Sequence, residues 1–350
     1  MYSVENFLHS LPTLKVNRAF KDKTNEFGIS HYVKGALAGG LCCSLTHGAL
    51  TPLDVVKTRI QLEPEMFHGM TDAFTKIVQT EGLGTLTTGL GATAVGYFVQ
   101  GWFKFGGVEF FKVNIAKKIG EKKAWQFRIP IYLVAAAFAE FIADIFLCPL
   151  EATRIRLVSN PAYADGLITA MPKIFAENGL VNGFYSGFGP ILMKQIPYTM
   201  TKFAVQGWAA ERIFKAATRL EPSSNKPSQR TQLTVSLMAG VIAGVAAAVI
   251  SQPADNLLSL INKEGAGGEG SIISRLVRLI FEVGPLNLLL NGLGARCFMV
   301  GVLTASQFGL FDVFMQLTNA KKFSFKDPND TESSNHSLES QPSGPKLVAP

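Results

Sequence analysis

The chain has 350 residues, 47% of them hydrophobic and only 17% charged, with 33 glycines and a net charge of +7. Soluble domains carry about 25% charged residues, so this composition excludes an ordinary soluble domain and points to a membrane protein. The bases lie at helix ends and in loops instead of forming a continuous basic face, which argues against nucleic acid and for an anionic lipid or solute.

Residues 1–30 lack a long apolar stretch, so no secretory signal is visible. Lys15, Arg18, Lys21 and Lys23 are diluted by Glu5, Asp22 and Glu26, and the segment reads as a polar extension. His31–Leu50 is the first apolar run, and at 1.5 Å per residue it approaches the roughly 30 Å of a bilayer core. A charged end beginning at Thr51 continues it, and a polar connection with Gly69 and Glu81-Gly82 follows. The second span covers Leu86–Ala116. The pattern then recurs: Arg128–Leu147 with a charged end to Leu157, a connection from Gly166 to Gly179, and a fourth span over Tyr185–Lys215. After a polar linker, Pro222–Arg230, come Thr231–Ile250, the connection Gly265–Gly284, and Leu288–Thr318. From about Ala320 the chain is rich in Ser, Pro, Asn and charge, the composition of a disordered tail. The expectation is an all-α membrane protein with six spans in three pairs: repeats at 31–120, 121–221 and 222–318, flanked by an extension (1–30) and a tail (319–350).

Each odd span ends in a related motif. Pro52-Leu-Asp54, Pro149-Leu-Glu151 and Pro253-Ala-Asp255 stand about a hundred residues apart, too far for a solenoid repeat. The first two add a base three residues after the acid, Lys57 and Arg154, whereas Leu258 stands there in the third. Thirteen and nine residues before each proline lie Gly39 and Cys43, Ala136 and Glu140, Gly240 and Gly244. Small residues four apart permit close helix packing. Glu140 breaks that rule, and a carboxylate at that depth costs several kcal/mol unless paired or wet.

Five residues before each proline lie His47, Asp144 and Ala248. Glu140 and Asp144 share a helix face. A lone buried histidine is commonly a packing residue, but a group titrating near neutrality beside two acids is what proton transfer needs. The even spans carry bases. Lys104-Phe105 recurs as Lys202-Phe203 and as Gln307-Phe308, so these positions ring one cavity. Gln100, Lys194, Gln195, Tyr198, Thr199 and Arg296 accompany them. A single lysine near a span's end often snorkels to the interface; repeat-equivalent polar residues fit a site for a small anion better, with Lys and Arg as charge-assisted donors. Cys42, Cys43, Cys148 and Cys297 sit in apolar runs and read as packed thiols.

The three proline motifs with their glycine-marked connections resemble the mitochondrial carrier family over residues 30–318. Within it, the set Thr46-His47, Gln100-Gly101, Lys104-Phe105-Gly106, Ala139-Glu140-Phe141, Ala143-Asp144, Gln195-Ile196-Pro197-Tyr198-Thr199-Met200, Asn262-Lys263-Glu264 and Leu303-Thr304-Ala305 is similar to the phosphate carriers. That resemblance implies a three-fold pseudosymmetric six-helix barrel in the inner mitochondrial membrane, with a central site exposed alternately to each side. It implies a matrix gate of Asp54, Glu151 and Asp255 with Lys57 and Arg154. It also implies a cytoplasmic gate, here Glu109 with Lys112 and Asp312 with Met315, while Gly207 stands at the second-repeat acid position. That network is thin, so the state closed on the cytoplasmic side is expected to be disfavoured.

The function so implied is phosphate import coupled to a proton, or equivalently exchanged for hydroxide. Phosphate binds Lys104, Lys194, Lys202 and Arg296 with Gln100, Gln195, Tyr198, Thr199 and Gln307, and His47, Glu140 and Asp144 handle the proton. Membrane lipid, with cardiolipin as a candidate, is a further partner. A monomer is the favoured state, and no cofactor, metal or enzymatic motif is expected. Another small anion, copper held by Cys42, Cys43, Cys297 and methionines, and a non-transporting scaffold on the same fold remain as alternatives.

Overall fold

A computed structural model describes residues 27–62, 65–220, 229–261, 272–320 and 322–325. The residues of the N-terminal extension up to 26, most of the linker after 220, the start of the third connection with Asn262-Lys263-Glu264, and the tail beyond 325 lie outside them. Six long helices carry the fold: α1 (Ile29–Leu62), α3 (Leu90–Ile119), α5 (Arg128–Ser159), α7 (Phe188–Leu220), α8 (Gln229–Ile261) and α11 (Leu293–Leu317). Between them lie α2 (Met70–Glu81), α4 (Glu121–Gln126), α6 (Leu167–Phe184), α9 (Ile272–Val283) and α10 (Pro285–Leu290). The long helices touch in the cyclic order α1, α3, α5, α7, α8, α11 and back to α1, which makes a closed six-helix barrel. Among the described residues, three helical stretches qualify as membrane spans by length and apolar content alone: Arg128–Ser159, Gln229–Leu257 and Pro285–Leu317, the last joining α10 and α11.

Helices α1, α5 and α8 run on to Leu62, Ser159 and Ile261, well past Pro52, Pro149 and Pro253, because the motif residues continue the helix. A proline inside a helix leaves the carbonyl four residues earlier without its donor. For Pro149 that is Ile145, and the Tyr185 hydroxyl donates to it at 3.0 Å. The residue before two of the prolines also ties its helix to the next connection: Cys148 Sγ donates to Phe184 O (3.1 Å) and Gln252 Nε2 to Asn291 O, whereas Thr51 Oγ1 donates to His47 O within its own helix.

The connections, which composition marks only as polar, contain α2, α6 and α9. Each such segment turns at an equivalent glycine with positive φ: Gly82 (86°), Gly179 (71°) and Gly284 (80°). A side chain is strained in that conformation, so these glycines set where each connection bends toward the next span.

Small residues set the closest helix contacts. A methyl group on Gly39 would lie 2.6 Å from Gly101 O, and one on Gly240 would lie 2.6 Å from Ala305 Cα. Backbones approach this closely only where Cβ is missing. The barrel is polar inside and apolar outside: Lys104, Lys202, Gln100 and Glu140 are buried, while Phe138, Phe141, Val241 and Phe298 face outward. Such a distribution suits lipid outside and a polar solute within.

Candidate solute site and its two gates

Three repeat-equivalent phenylalanines meet on the barrel axis. Phe105 and Phe203 have ring centroids 5.1 Å apart, Phe105 and Phe308 5.6 Å, and Phe203 and Phe308 5.5 Å. Because each follows Lys104, Lys202 or Gln307 in sequence, this apolar layer separates two cavities. One, of about 130 Å³, lies toward the proline motifs. The other, of about 850 Å³, is a vestibule toward the opposite end.

The smaller cavity is lined by Gln100, Lys104, Lys194, Gln195, Tyr198, Lys202, Arg296 and Gln307, eight of the nine residues expected to bind solute. Thr199 is fully buried and does not line it, and its hydroxyl has no hydrogen-bond partner in the structure. Lys104 Nζ lies 3.0 Å from Glu140 Oε1, and Gln100 Nε2 donates to the same oxygen at 3.0 Å. Lys202 Nζ donates to Gln307 Oε1 and lies 5.4–5.8 Å from the Phe105, Tyr198 and Phe308 rings. These ring faces help hold a desolvated cation.

His47 also lines the cavity and stacks flat on Tyr97, centroids 3.5 Å apart. Glu140 and Asp144 lie behind the lining at 0% exposure, one turn apart on α5. Glu140 Oε2 and both Asp144 oxygens have no hydrogen-bond partner. Unsatisfied buried carboxyl oxygens are costly, and a proton on this pair reduces that cost.

At the proline-motif end the motif acids and bases pair both within a helix and between repeats. Arg154 reaches Asp54 (3.4 Å) and Glu151 (2.9 Å), and Lys57 lies 3.9 Å from Asp255. Two residues assigned to solute binding join this network. Lys194 Nζ approaches Asp255 Oδ1 at 2.6 Å, and Arg296 pairs with Asp255 Oδ2 while donating to Ser251 Oγ at 2.8 Å. The cations of the site thus supply the third repeat with the base that Leu258 denies it, and site and gate are electrically one unit.

At the other end the gate residues do not pair across helices with one another. Lys112 Nζ meets Glu109 Oε2 at 2.5 Å within α3, His31 Nε2 lies 3.4 Å from Glu109, and Asp312 accepts from Ser236 and pairs with Lys322.

Tyr97, Ser251, His31, Ser236 and Lys322 were not apparent from sequence reasoning. Tyr97 sits three residues before Gln100, one turn along the same face, and that spacing was the usable signal. The cysteines are free thiols: Cys42, Cys43 and Cys148 are buried and Cys297 is partly so.

The chain matches the family model described as mitochondrial carrier protein over residues 29–119, 126–216 and 229–322, the three structural repeats. It is 47% identical over 296 residues to "Mitochondrial substrate carrier family protein N" of Dictyostelium discoideum, covering 84% of this chain and 98% of that one. It is 40% identical over 282 residues to human "Solute carrier family 25 member 3" (80% and 75%). It is 40% identical over 286 residues to a Schizosaccharomyces pombe "Probable mitochondrial phosphate carrier protein" (81% and 90%).

Proposed function

The chain belongs to the mitochondrial carrier family, and from that premise we propose that it carries inorganic phosphate across the inner mitochondrial membrane into the matrix, with a proton or in exchange for hydroxide. It is a transporter and not an enzyme. Relatives named as phosphate carriers in a plant, a nematode and a yeast support phosphate as the solute. The observation that carries the reading is the small cavity, where Lys57, Lys104, Lys194, Lys202 and Arg296 converge and Asp255 alone among its lining residues is acidic.

Phosphate enters that cavity through the phenylalanine layer and takes charge-assisted hydrogen bonds from Lys104, Lys202, Lys194 and Arg296. Gln100, Gln195, Tyr198 and Gln307 complete its shell. Lys194 and Arg296 are held by Asp255 before phosphate arrives. The anion competes with that carboxylate for both, leaving Lys57 as its remaining partner. Solute binding thereby loosens the proline-motif gate, which is the differential affinity alternating access requires. The proton travels with His47 and the Glu140–Asp144 pair.

The test is uptake of labelled phosphate into liposomes carrying the purified protein, with and without an acid-outside pH gradient, for the parent and His47→Ala. We expect the gradient to accelerate the parent but not His47→Ala, which retains phosphate–phosphate exchange. Equal acceleration in both would remove His47 from the proton path.

A further inference from the structure

The segment after α11 lines the vestibule with Lys322, Phe323, Ser324 and Phe325. Lys34 Nζ donates to Thr318 O (2.8 Å) and Ala320 N to Met315 O (2.9 Å), which turns the chain back over the end of the barrel. Lys322 then pairs with Asp312 and lies 5.1 Å from the Phe311 ring. Phe323 is 7% exposed; its N–H donates to Glu109 Oε1 at 2.8 Å and its carbonyl accepts from Lys112 Nζ at 3.0 Å. Its ring packs on Phe27 (5.7 Å), and Phe325 packs on Tyr132 of α5 (5.5 Å). Lys322, Phe323 and Phe325 therefore touch α11, α3, the entry to α1, and α5.

We propose that Lys322 is a gate cation and that Lys322–Phe325 is a strap capping the vestibule. The charge count of the gate calls for it. Glu109 and Asp312 are two buried acids; Lys112 and, at 3.4 Å, His31 of α1 stand by Glu109, but Met315 occupies the third-repeat base position beside Asp312. A buried carboxylate needs a partner, and α11 itself offers Asp312 none at that place. Lys322 supplies it from outside the helix, ten residues further on. The backbone of Phe323 meanwhile satisfies Glu109 and Lys112, which would otherwise be the residues to pair across the closing helices. The strap thus neutralises this gate and covers the entrance with the same contacts. It accounts for a gate network of two acids and one base without reference to the solute.

The test uses thiol accessibility, which needs no knowledge of what is carried. Ala210→Cys places a reporter in the vestibule wall, in a chain whose partly exposed Cys297 is changed to Ser. A membrane-impermeant maleimide is applied to the full-length protein in liposomes. Lys322→Glu sets a third acid against Glu109 and Asp312, so the labelling rate is expected to rise about tenfold, which is about 1.4 kcal/mol. Adding Asp312→Lys to Lys322→Glu swaps the pair and restores slow labelling, and Lys322→Gln gives an intermediate rate. Thermal unfolding of each variant shows that it is folded. Labelling unchanged in folded Lys322→Glu and Lys322→Gln, or a swap that rescues nothing, overturns the proposal. Failure of phosphate transport would leave these rates untouched, so the two readings fail separately.

Discussion

Replacing Glu140 by Gln removes the carboxylate that Lys104 meets at 3.0 Å. Glu140 is fully buried, Lys104 is 4% exposed, and their contact of 3.0 Å is supported by Gln100. Breaking a buried ion pair on one side costs about 3–5 kcal/mol, because the remaining charge is stranded. At about 2–4 °C per kcal/mol for a mid-sized chain, the unfolding midpoint falls by roughly 6 °C or more. The buried thiols Cys42, Cys43 and Cys148 make a thiol-reactive dye a direct reporter of unfolding in detergent. Glu140→Leu with Lys104→Met, which removes both charges, recovers most of the loss, since a buried pair is often replaceable by apolar residues. Phosphate should stabilise Glu140→Gln more than the parent, because the anion takes up the charge Lys104 has lost and binding adds to apparent stability. The reasoning is refuted if Glu140→Gln melts within about 1 °C of the parent, or if the double variant melts as low as the single ones.

Two further outcomes follow from the packing and the gate. Gly240→Ala forces a methyl group to 2.6 Å from Ala305 Cα, so it should cost about 1–3 kcal/mol of overpacking; Gly35→Ala, with no atom within 4 Å, serves as the control in the same melting assay and should change little. Asp255→Asn frees Lys194 and Arg296 for the anion, so phosphate affinity, read as the concentration that half-stabilises the protein, should tighten about tenfold while flux falls. Weaker phosphate binding by folded Asp255→Asn would contradict the competition between solute and gate.

The three-fold plan was legible because the motif is repeated: Pro52, Pro149 and Pro253 fix the register, and Lys104, Lys202 and Gln307 then fall at one depth. Periodicity within a single helix would not have revealed this, because the apolar residues lie outside and the polar ones inside at many levels. The connecting helices were hidden by their mixed composition, since tertiary contact, more than propensity, stabilises short amphipathic helices. The sharing of Asp255 between gate and site was not legible either. Spacing gives the turn on which a residue lies, not which of several cations wins a carboxylate. Lys322 was the hardest to see. It lies past the last span in a stretch whose composition reads as tail, and only the fold-back at Ala320 carries it to Asp312. Under the proposal above, Lys322 adds to Glu109, Lys112 and Asp312 the base that their spacing lacked.

The most direct test of the account is the initial rate of labelled phosphate uptake by the parent and by Lys202→Ala in liposomes under one fixed pH gradient. Lys202 is 2% exposed, at the wall where the central cavity meets the phenylalanine layer. The account predicts saturable uptake by the parent and only the leak of protein-free liposomes with folded Lys202→Ala. Parental rates in Lys202→Ala, or no phosphate uptake by the parent under any gradient, would contradict it.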